Sequence, residues 1–147
     1  TTLAMTLFTP ESMFVCNLGD SRIYRFSKGN FSQISRDHVL KSCRFGKAPL
    51  TQFLGVEETE MKLEPAIAAV PYQDRDRYLL CSDGVTDMLS DREIEEIMKL
   101  EDSIRDIAHA LLTRVLDKGA RDNTTIILCE VRADNRPFKT WLLQKKG

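Results

Sequence analysis

The sequence has almost no excess charge and no long apolar run. Its 147 residues carry 21 Lys and Arg against 22 Asp and Glu, which gives a formal net charge of −1. This balance supplies no bulk attraction to nucleic acid or to an anionic lipid surface, so neither is expected as a partner. No apolar run approaches the ~18 residues that a membrane span requires. The two absences argue against a nucleic-acid-binding protein and against a membrane-spanning one.

The cysteines lack the spacing of a zinc site or of a disulfide framework. Cys16, Cys43, Cys81 and Cys129 are scattered and form no Cys-x-x-Cys pair. Three of them lie in apolar runs, where a free cysteine packs as a small hydrophobic side chain. We therefore expect reduced thiols and a cytoplasmic location. The chain also begins at Thr1 rather than Met, so we expect its natural N-terminus to lie upstream.

The sequence does contain enough apolar residues for one globular domain. They make up 42% of the chain, and the length falls in the usual range for a single domain. The first half consists of short β-prone runs separated by turn residues, which is typical of an antiparallel meander. The strand candidates are residues 2–8, 13–18, 22–26, 31–35, 61–70 and 76–82, with a short extended piece at 50–56.

The second half changes to a helical period. Ser90 with Glu93 three residues later is a capping-box pattern that predicts the start of one helix. Ser103 is the expected N-cap of a second helix, and the apolar stripe behind it has helical spacing. Gly119 is well placed to end that helix.

A β-branched strand is predicted at residues 124–131, after the second helix. The last residues, 134–147, are basic and contain an isolated Trp141. They are expected to form a short amphipathic helix or a frayed end. We therefore expect one domain over residues 1–133, followed by a basic tail.

Four aspartates lie beside the ends of strand candidates. Asp20 and Asp83 each follow an apolar run, and Asp122 precedes one. Asp87 lies four residues after Asp83, so the two carboxylates face the same side if this stretch turns helically. Carboxylate oxygens suit hard cations such as Mg²⁺, Mn²⁺ or Ca²⁺, and the lack of His or Cys among them argues against zinc.

Glycines accompany two of these aspartates. Gly19 precedes Asp20 and Gly84 follows Asp83, which lets the backbone pass close to an ion or a phosphate. The same dipeptides are common in ordinary turns, and Asp is a frequent cap. The spacing alone therefore leaves a metal site and a set of simple turns both open.

Five short motifs occur in a specific order along the chain. They are residues 19–22 (Gly-Asp-Ser-Arg), 36–38 (Arg-Asp-His), 50–55 (Leu-Thr-Gln-Phe-Leu-Gly), 80–87 (Leu-Cys-Ser-Asp-Gly-Val-Thr-Asp) and 121–125 (Arg-Asp-Asn-Thr-Thr). This series resembles the metal-dependent serine/threonine protein phosphatases of the protein phosphatase type 2C family, most of all the compact bacterial members. The resemblance extends over residues 1–131.

The resemblance implies a fold and a chemistry. The fold is α+β, with two antiparallel sheets sandwiched between pairs of helices. The chemistry is hydrolysis of phosphoserine and phosphothreonine in proteins by a water that Mn²⁺ or Mg²⁺ activates, and it implies a role in signalling. Phosphorylated proteins are the partners that it implies.

The resemblance also assigns roles to particular residues. Asp83 and Asp122 match the core metal ligands and would be catalytic through the metal, whereas Asp20 and Asp87 match an accessory metal pair. The neighbours of the core ligands would support them, with Asn123 bracing Asp122 and with Ser82 and Gly84 framing Asp83.

Other polar residues are expected to have structural or solvent-facing roles. Arg22 and His38 are interpreted as structural, and His109, on the second helix, as solvent-facing or helix-packing. The basic residues of the loop at 39–49 have the charge to attract a phosphoprotein, but they are interpreted as a solvated stretch: Lys41, Arg44 and Lys47.

Two parts of the family pattern are reduced or missing. The opening Asp-Gly motif, whose carboxylate bridges both metals, does not occur, and the flap is shortened to residues 39–49. Two carboxylates offset little of the repulsion between two divalent ions, so weak or no activity is expected of this chain alone.

The missing motif keeps an alternative function open, namely a degenerate phosphatase-like module that binds phosphoproteins or a regulatory partner. An incomplete sandwich also leaves apolar surface exposed, which predicts possible self-association.

Overall fold

The computed structural model describes residues 1–40, 47–57 and 59–132, together with the backbone of 139–145. These residues form eight strands and three helices. The strands are β1 (Leu3–Phe8), β2 (Met13–Leu18), β3 (Arg22–Ser27), β4 (Asn30–Gln33), β5 (Ala66–Val70), β6 (Arg77–Cys81), β7 (Thr124–Glu130) and β8 (Lys139–Lys145), and the helices are α1 (Asp83–Thr86), α2 (Asp91–Met98) and α3 (Ile104–Asp117).

The strands form two antiparallel sheets, which confirms the α+β prediction. The smaller sheet has the order β1-β2-β5, and the larger has the order β4-β3-β6-β7-β8. Met13 and Val15 of the small sheet share one buried cluster with Ile23, Tyr78 and Leu80 of the large sheet. The two sheets therefore pack face to face through alternate residues of their strands.

The large sheet buries its other face against the helices. Tyr24 and Leu79, which are chain neighbours of Ile23 and Leu80, belong to the cluster that contains the apolar stripe of α3. Successive residues of a strand point to opposite faces, so β3 and β6 contribute to both cores. This explains why residues 78–81 are apolar without interruption.

The helix ends follow the sequence predictions. Ser90 accepts a hydrogen bond from the Glu93 amide while the Glu93 carboxylate accepts one from the Ser90 amide, so the capping box is present. Ser103 caps α3 by accepting from the Asp106 amide, at a distance of 3.2 Å. Gly119 follows α3 with a φ of +99°, a left-handed conformation that favours glycine.

Three sequence predictions of local structure need correction. Residues 50–56 do not form a strand, because only Leu50 pairs, in an isolated bridge with Val39. Strand β5 begins at Ala66 rather than at residue 61, directly after Pro65, which has no amide to donate to a sheet ladder.

The helical prediction for the tail is also wrong over β8, whose residues pair antiparallel with every residue of β7. The pairing covers an edge of the large sheet that would otherwise present free backbone groups. The domain boundary at residue 133 stays a prediction.

The outer face of the small sheet is apolar and exposed. Met5, Leu7, Phe14 and Ile67 are all exposed, and the strand register places them on one face. In the described part of the chain the layers are therefore the small sheet, the large sheet and the helices. This agrees with the prediction of an incomplete four-layer sandwich. None of the described helices is both long and apolar enough to cross a membrane.

Candidate metal centre

Antiparallel pairing brings three of the four aspartates to one end of the large sheet. Asp20 stands two residues before β3, and Asp83 stands two residues after β6. The first residue of β3 pairs with the last residue of β6. The backbone positions of Asp20 and Asp83 are therefore at the same end of this strand pair. Asp122 stands two residues before β7, the other neighbour of β6, and reaches the same end.

A lysine contacts two of these carboxylates at once. The Nζ atom of Lys47 donates to Oδ2 of Asp83, and it donates to Oδ2 of Asp87 at a distance of 3.0 Å. Helix α1 brings the two aspartates to the same side, as their four-residue spacing predicts. Burial alone would lower the pKa of Lys47, but the hydrogen bonds that its ammonium group donates to the two carboxylates outweigh it and raise that pKa. The ammonium group therefore stays charged.

Asp20 belongs to the same electrostatic environment. Its pKa is raised, first by burial and then by the negative charge of Asp83, with a smaller contribution from Asp87, while the charge of Lys47 acts in the opposite direction. Three carboxylates thus repel one another around one site. Such a site favours a cation.

Asp122 lines a cavity beside this cluster. The cavity has a volume of about 300 Å³, and Lys47, Gly84, Asp87 and Arg121 also line it. The Asp122 carboxylate accepts a hydrogen bond of 2.7 Å from the backbone amide of Asn123. Asn123 therefore supports Asp122 through its main chain.

Gly84 and Ser82 hold α1 against the segment that carries Asp122. A Cβ atom on Gly84 would overlap the backbone carbonyl of Asn123, so this approach requires glycine. Ser82 accepts a hydrogen bond from the Thr125 amide at 3.0 Å and donates one to the Asn123 carbonyl at 3.3 Å. These contacts fix the position of Asp83 relative to Asp122.

The donor chemistry of the cluster fits a hard divalent cation. The candidate ligands are carboxylate oxygens, and an ammonium group already occupies a cation position between two of them. Within the described ranges, however, no group of three or more His, Cys, Asp or Glu side chains has the geometry to hold a metal ion. The described residues therefore have the right type of ligand atom for a divalent cation, and they supply part of its coordination shell.

The turn that carries Asp20 is fixed by residues 36–38. The Asn17 side chain exchanges two hydrogen bonds with the backbone of Arg36, at 2.6 and 3.0 Å. The Gly19 amide donates to Nδ1 of His38, which is nearly buried. His38 is therefore a structural residue, as the sequence predicts, and His109 is exposed.

Arg22 completes this arrangement. Its guanidinium donates to both carboxylate oxygens of Asp37, at distances from 2.6 to 3.1 Å, and to the Tyr24 hydroxyl at 3.0 Å. Hydrogen bonds to Asp37 and Tyr24 raise the pKa of Arg22 despite its partial burial, which alone would lower it. The structural interpretation of Arg22 is confirmed.

Comparison with known families identifies the architecture. The family model described as "Protein phosphatase 2C" matches residues 1–123. The chain belongs to this family. The predicted family resemblance is thereby confirmed.

Two curated relatives of this protein phosphatase 2C chain come from bacteria and are named as serine/threonine phosphatases. "Serine/threonine phosphatase stp" of Listeria welshimeri is 33% identical over 144 residues, which covers 88% of this chain and 56% of the relative. "Serine/threonine protein phosphatase PstP" of Mycobacterium tuberculosis is 29% identical, over 89% of this chain and 27% of the relative. The chain spans about half the length of the first of these relatives.

Solved protein phosphatase 2C structures share the fold. Serine/threonine phosphatase Stp1 from Staphylococcus aureus superimposes with a TM-score of 0.79 at 26% identity, over 90% of this chain and 56% of that one. The catalytic domain of PstP, solved in complex with two manganese ions, superimposes with a TM-score of 0.73 at 28% identity, over 89% and 58%.

Lys47 is the residue of this protein phosphatase 2C chain whose place in the aspartate cluster was not predicted from the sequence. Lys47 is exposed, as the solvated interpretation of the loop expects, but its ammonium group also contacts Asp83 and Asp87. The other two basic residues of that interpretation, Lys41 and Arg44, lie outside the described residues. Lys47 is 36 and 40 residues from its partners, so no local pattern announces the contacts.

Proposed function

We propose that these residues form part of a metal-dependent phosphatase that hydrolyses phosphoserine and phosphothreonine in proteins. The observation that supports this most directly is the convergence of Asp20, Asp83 and Asp87 around one cationic group at the end of the large sheet. Membership of the protein phosphatase 2C family supports the reaction class. The manganese ions bound by PstP support Mn²⁺ or Mg²⁺ as the cofactor.

The proposed roles of the residues come from the resemblance to the family's motifs. Asp83 and Asp122 hold the core metal, and Asp20 and Asp87 hold an accessory ion. When bound, the divalent ions would supply an activated water for in-line attack and would offset the charge of the phosphate. Gly84 keeps α1 close to the chain at 122–124, and the cavity beside it is lined by Asp87 and Asp122.

A phosphatase assay with Mn²⁺ and a phosphothreonine peptide tests the proposal. The protein that carries these residues should release phosphate, and Asp83→Asn should lower the rate by at least about 100-fold. Asp102→Asn removes an exposed carboxylate after α2 and should leave the rate unchanged. Equal rates in Asp83→Asn and the unmodified protein would show that the ligand assignment is wrong.

The same assay on the 147 residues alone tests the expectation of weak activity. Asp83 and Asp122 contribute two negative charges, which leave two closely spaced divalent ions mutually repulsive. Slow or undetectable turnover is expected. A rate equal to that of a longer natural chain would contradict it.

The alternative is a module that binds phosphoproteins without hydrolysing them. Calorimetry distinguishes the two functions, because the module would bind a phosphopeptide tightly while phosphate release stays at background. The free thiols of Cys16, Cys81 and Cys129 support the proposed cytoplasmic location, where a phosphatase of this kind would act in signalling.

We also propose that the 147-residue chain associates with itself. Its support is the apolar outer face of the small sheet, where Leu7 and Phe14 are directly paired and both exposed. Sedimentation of the 147-residue chain should show a concentration-dependent oligomer, and Phe14→Ser should shift it to monomer. A chain that is monomeric at all concentrations would contradict the proposal.

A further inference from the structure

We propose that Lys47 is a tethered competitor of the metal ion: its ammonium group occupies the cation position between Asp83 and Asp87 and leaves when a divalent ion binds there. This inference rests on the proposed metal centre. It adds that a divalent ion can bind at this position only when the Lys47 ammonium group leaves it.

The contacts place the ammonium group and a divalent ion in competition for the same carboxylate oxygens. Lys47 bonds to Oδ2 of Asp83 and to Oδ2 of Asp87, which are oxygens that a divalent ion in this position would use. Mg²⁺ takes such oxygens at ~2.0–2.1 Å and Ca²⁺ at ~2.3–2.6 Å. An ammonium group within hydrogen-bond distance of the same two atoms fills that space and already offsets their charge.

The backbone near Lys47 is anchored, so the ammonium remains close to the carboxylates. Val39 and Leu50 form an antiparallel bridge, and the Leu40 amide donates to the Pro49 carbonyl at 3.1 Å. Pro49 is two residues from Lys47. A group held this near to its partners acts at a high effective concentration, even though each contact is weak.

The exchange is reversible because the contacts are only partly buried. The exposed fraction of the side chain is 49% for Lys47, 30% for Asp83 and 43% for Asp87. Ion pairs with such exposure contribute little stability, so a divalent ion displaces the ammonium at a modest cost. The displaced side chain already lines the cavity that Asp122 also lines, and it has room there.

Titration calorimetry with MnCl₂ on the intact protein tests the competition. Lys47→Met removes the charge and should tighten Mn²⁺ binding by about five- to tenfold. Lys47→Arg keeps the charge and should bind Mn²⁺ as the unmodified protein does. Lys62→Met is the matched control, since Lys62 is exposed and is in no ion pair within the described part of the chain. It should leave the affinity unchanged.

The outcomes separate this inference from the proposed function. If the unmodified protein and all three variants fail to bind Mn²⁺, the metal centre itself is wrong and the competition falls with it. If Lys47→Met binds Mn²⁺ no more tightly than the unmodified protein, the centre stands and the competition is overturned. Equal tightening in Lys62→Met would also overturn it, because net charge would then explain the effect.

Chemical labelling of lysines gives a second readout that does not depend on affinity. Without metal, the Lys47 amine is engaged by two carboxylates and should be acetylated slowly by a limiting amount of acetic anhydride. Saturating Mn²⁺ should raise its rate several-fold, as peptide mass spectrometry would measure, while the rate at Lys62 stays constant. A Lys47 rate that Mn²⁺ leaves unchanged would overturn the exchange.

Discussion

Gly19 and His38 exchange two hydrogen bonds. The Gly19 amide donates to Nδ1 of His38 at 3.1 Å, and the His38 amide donates to the Gly19 carbonyl at 3.0 Å. Nδ1 of the imidazole is therefore the acceptor for the Gly19 amide. Through this pair, the chain at residues 36–38 holds the turn that presents Asp20.

Substitution of His38 tests this relationship. His38→Ala leaves the Gly19 amide without its acceptor in a buried position, so the free energy of unfolding should fall by about 1–3 kcal/mol. Urea denaturation measures the loss. His109→Ala removes an exposed imidazole from α3 and should change the stability by less than about 0.5 kcal/mol. Similar losses in the two variants would contradict the assigned role.

Substitution of Gly84 tests the contact between α1 and the chain before β7. The added methyl of Gly84→Ala would overlap the Asn123 carbonyl, and relieving the overlap should cost about 1–3 kcal/mol in urea denaturation. It should also weaken Mn²⁺ binding, because Asp83 and Asp122 would move apart. Gly29→Ala has open space but a φ of +81°, so it should cost about 1 kcal/mol and leave Mn²⁺ binding unchanged.

Asp76 should make the stability sensitive to acid. Burial alone would raise the pKa of this buried carboxyl, but hydrogen bonds from Ser27, Arg25 and the Gln73 amide outweigh it and lower the pKa. The unfolded chain then binds a proton more readily than the folded protein does. The stabilisation is present above pH ~4, the ordinary range for Asp, and is lost as the pH falls through the folded pKa.

The variant Asp76→Asn checks that pH dependence. At pH 7 it should lower the free energy of unfolding by about 3–5 kcal/mol, because the partly buried Arg25 loses its buried carboxylate partner. Between pH 6 and 3 its stability should fall less than that of the unmodified protein. Parallel pH curves, measured by urea denaturation, would show that another group carries the dependence.

Asp20 should have opposite effects with and without metal. Burial and the charge of Asp83 raise its pKa in the folded protein, so its contribution to stability is present at low pH and is lost as the pH rises through the folded pKa. In EDTA at pH 7, Asp20→Asn should therefore stabilise the protein. In saturating Mn²⁺ the same variant should have a lower melting temperature than the unmodified protein, because it loses an accessory ligand. Thermal denaturation with and without Mn²⁺ measures both effects.

Features set by neighbouring residues were predictable from the sequence. The capping box of Ser90 and Glu93 and the glycine stop at Gly119 depend on short-range geometry, and both are confirmed. Most strands of the first half were predictable because each carries its own apolar pattern, whereas the arrangement in two sheets was implied by the family resemblance. The positions of Asp83 and Asp87 on one side of α1 follow from helical spacing.

Features set by distant residues were not predictable in the same way. Strand β8 is defined by its pairing with β7. Its sequence does not alternate between apolar and polar residues, so no strand is predicted from it. The contacts of Lys47 depend on where the folded chain brings this residue relative to Asp83 and Asp87, which are 36 and 40 residues away. The support of Asp122 comes from the Asn123 amide, and every residue except proline has an amide, so residue type carries no signal for it.

The two sheets differ in how much water reaches them, and the candidate centre spans both. The large sheet is covered on both faces at β3 and β6, whereas the small sheet is exposed on its outer face. Local opening requires less free energy where fewer apolar contacts are lost, so amide hydrogens of the small sheet should exchange first. Asp20 lies between β2 of the small sheet and β3 of the large sheet, while Asp83 and Asp122 adjoin strands of the large sheet. Brief opening of the small sheet would therefore release one of the two strands that position Asp20 and leave the other two carboxylates in place.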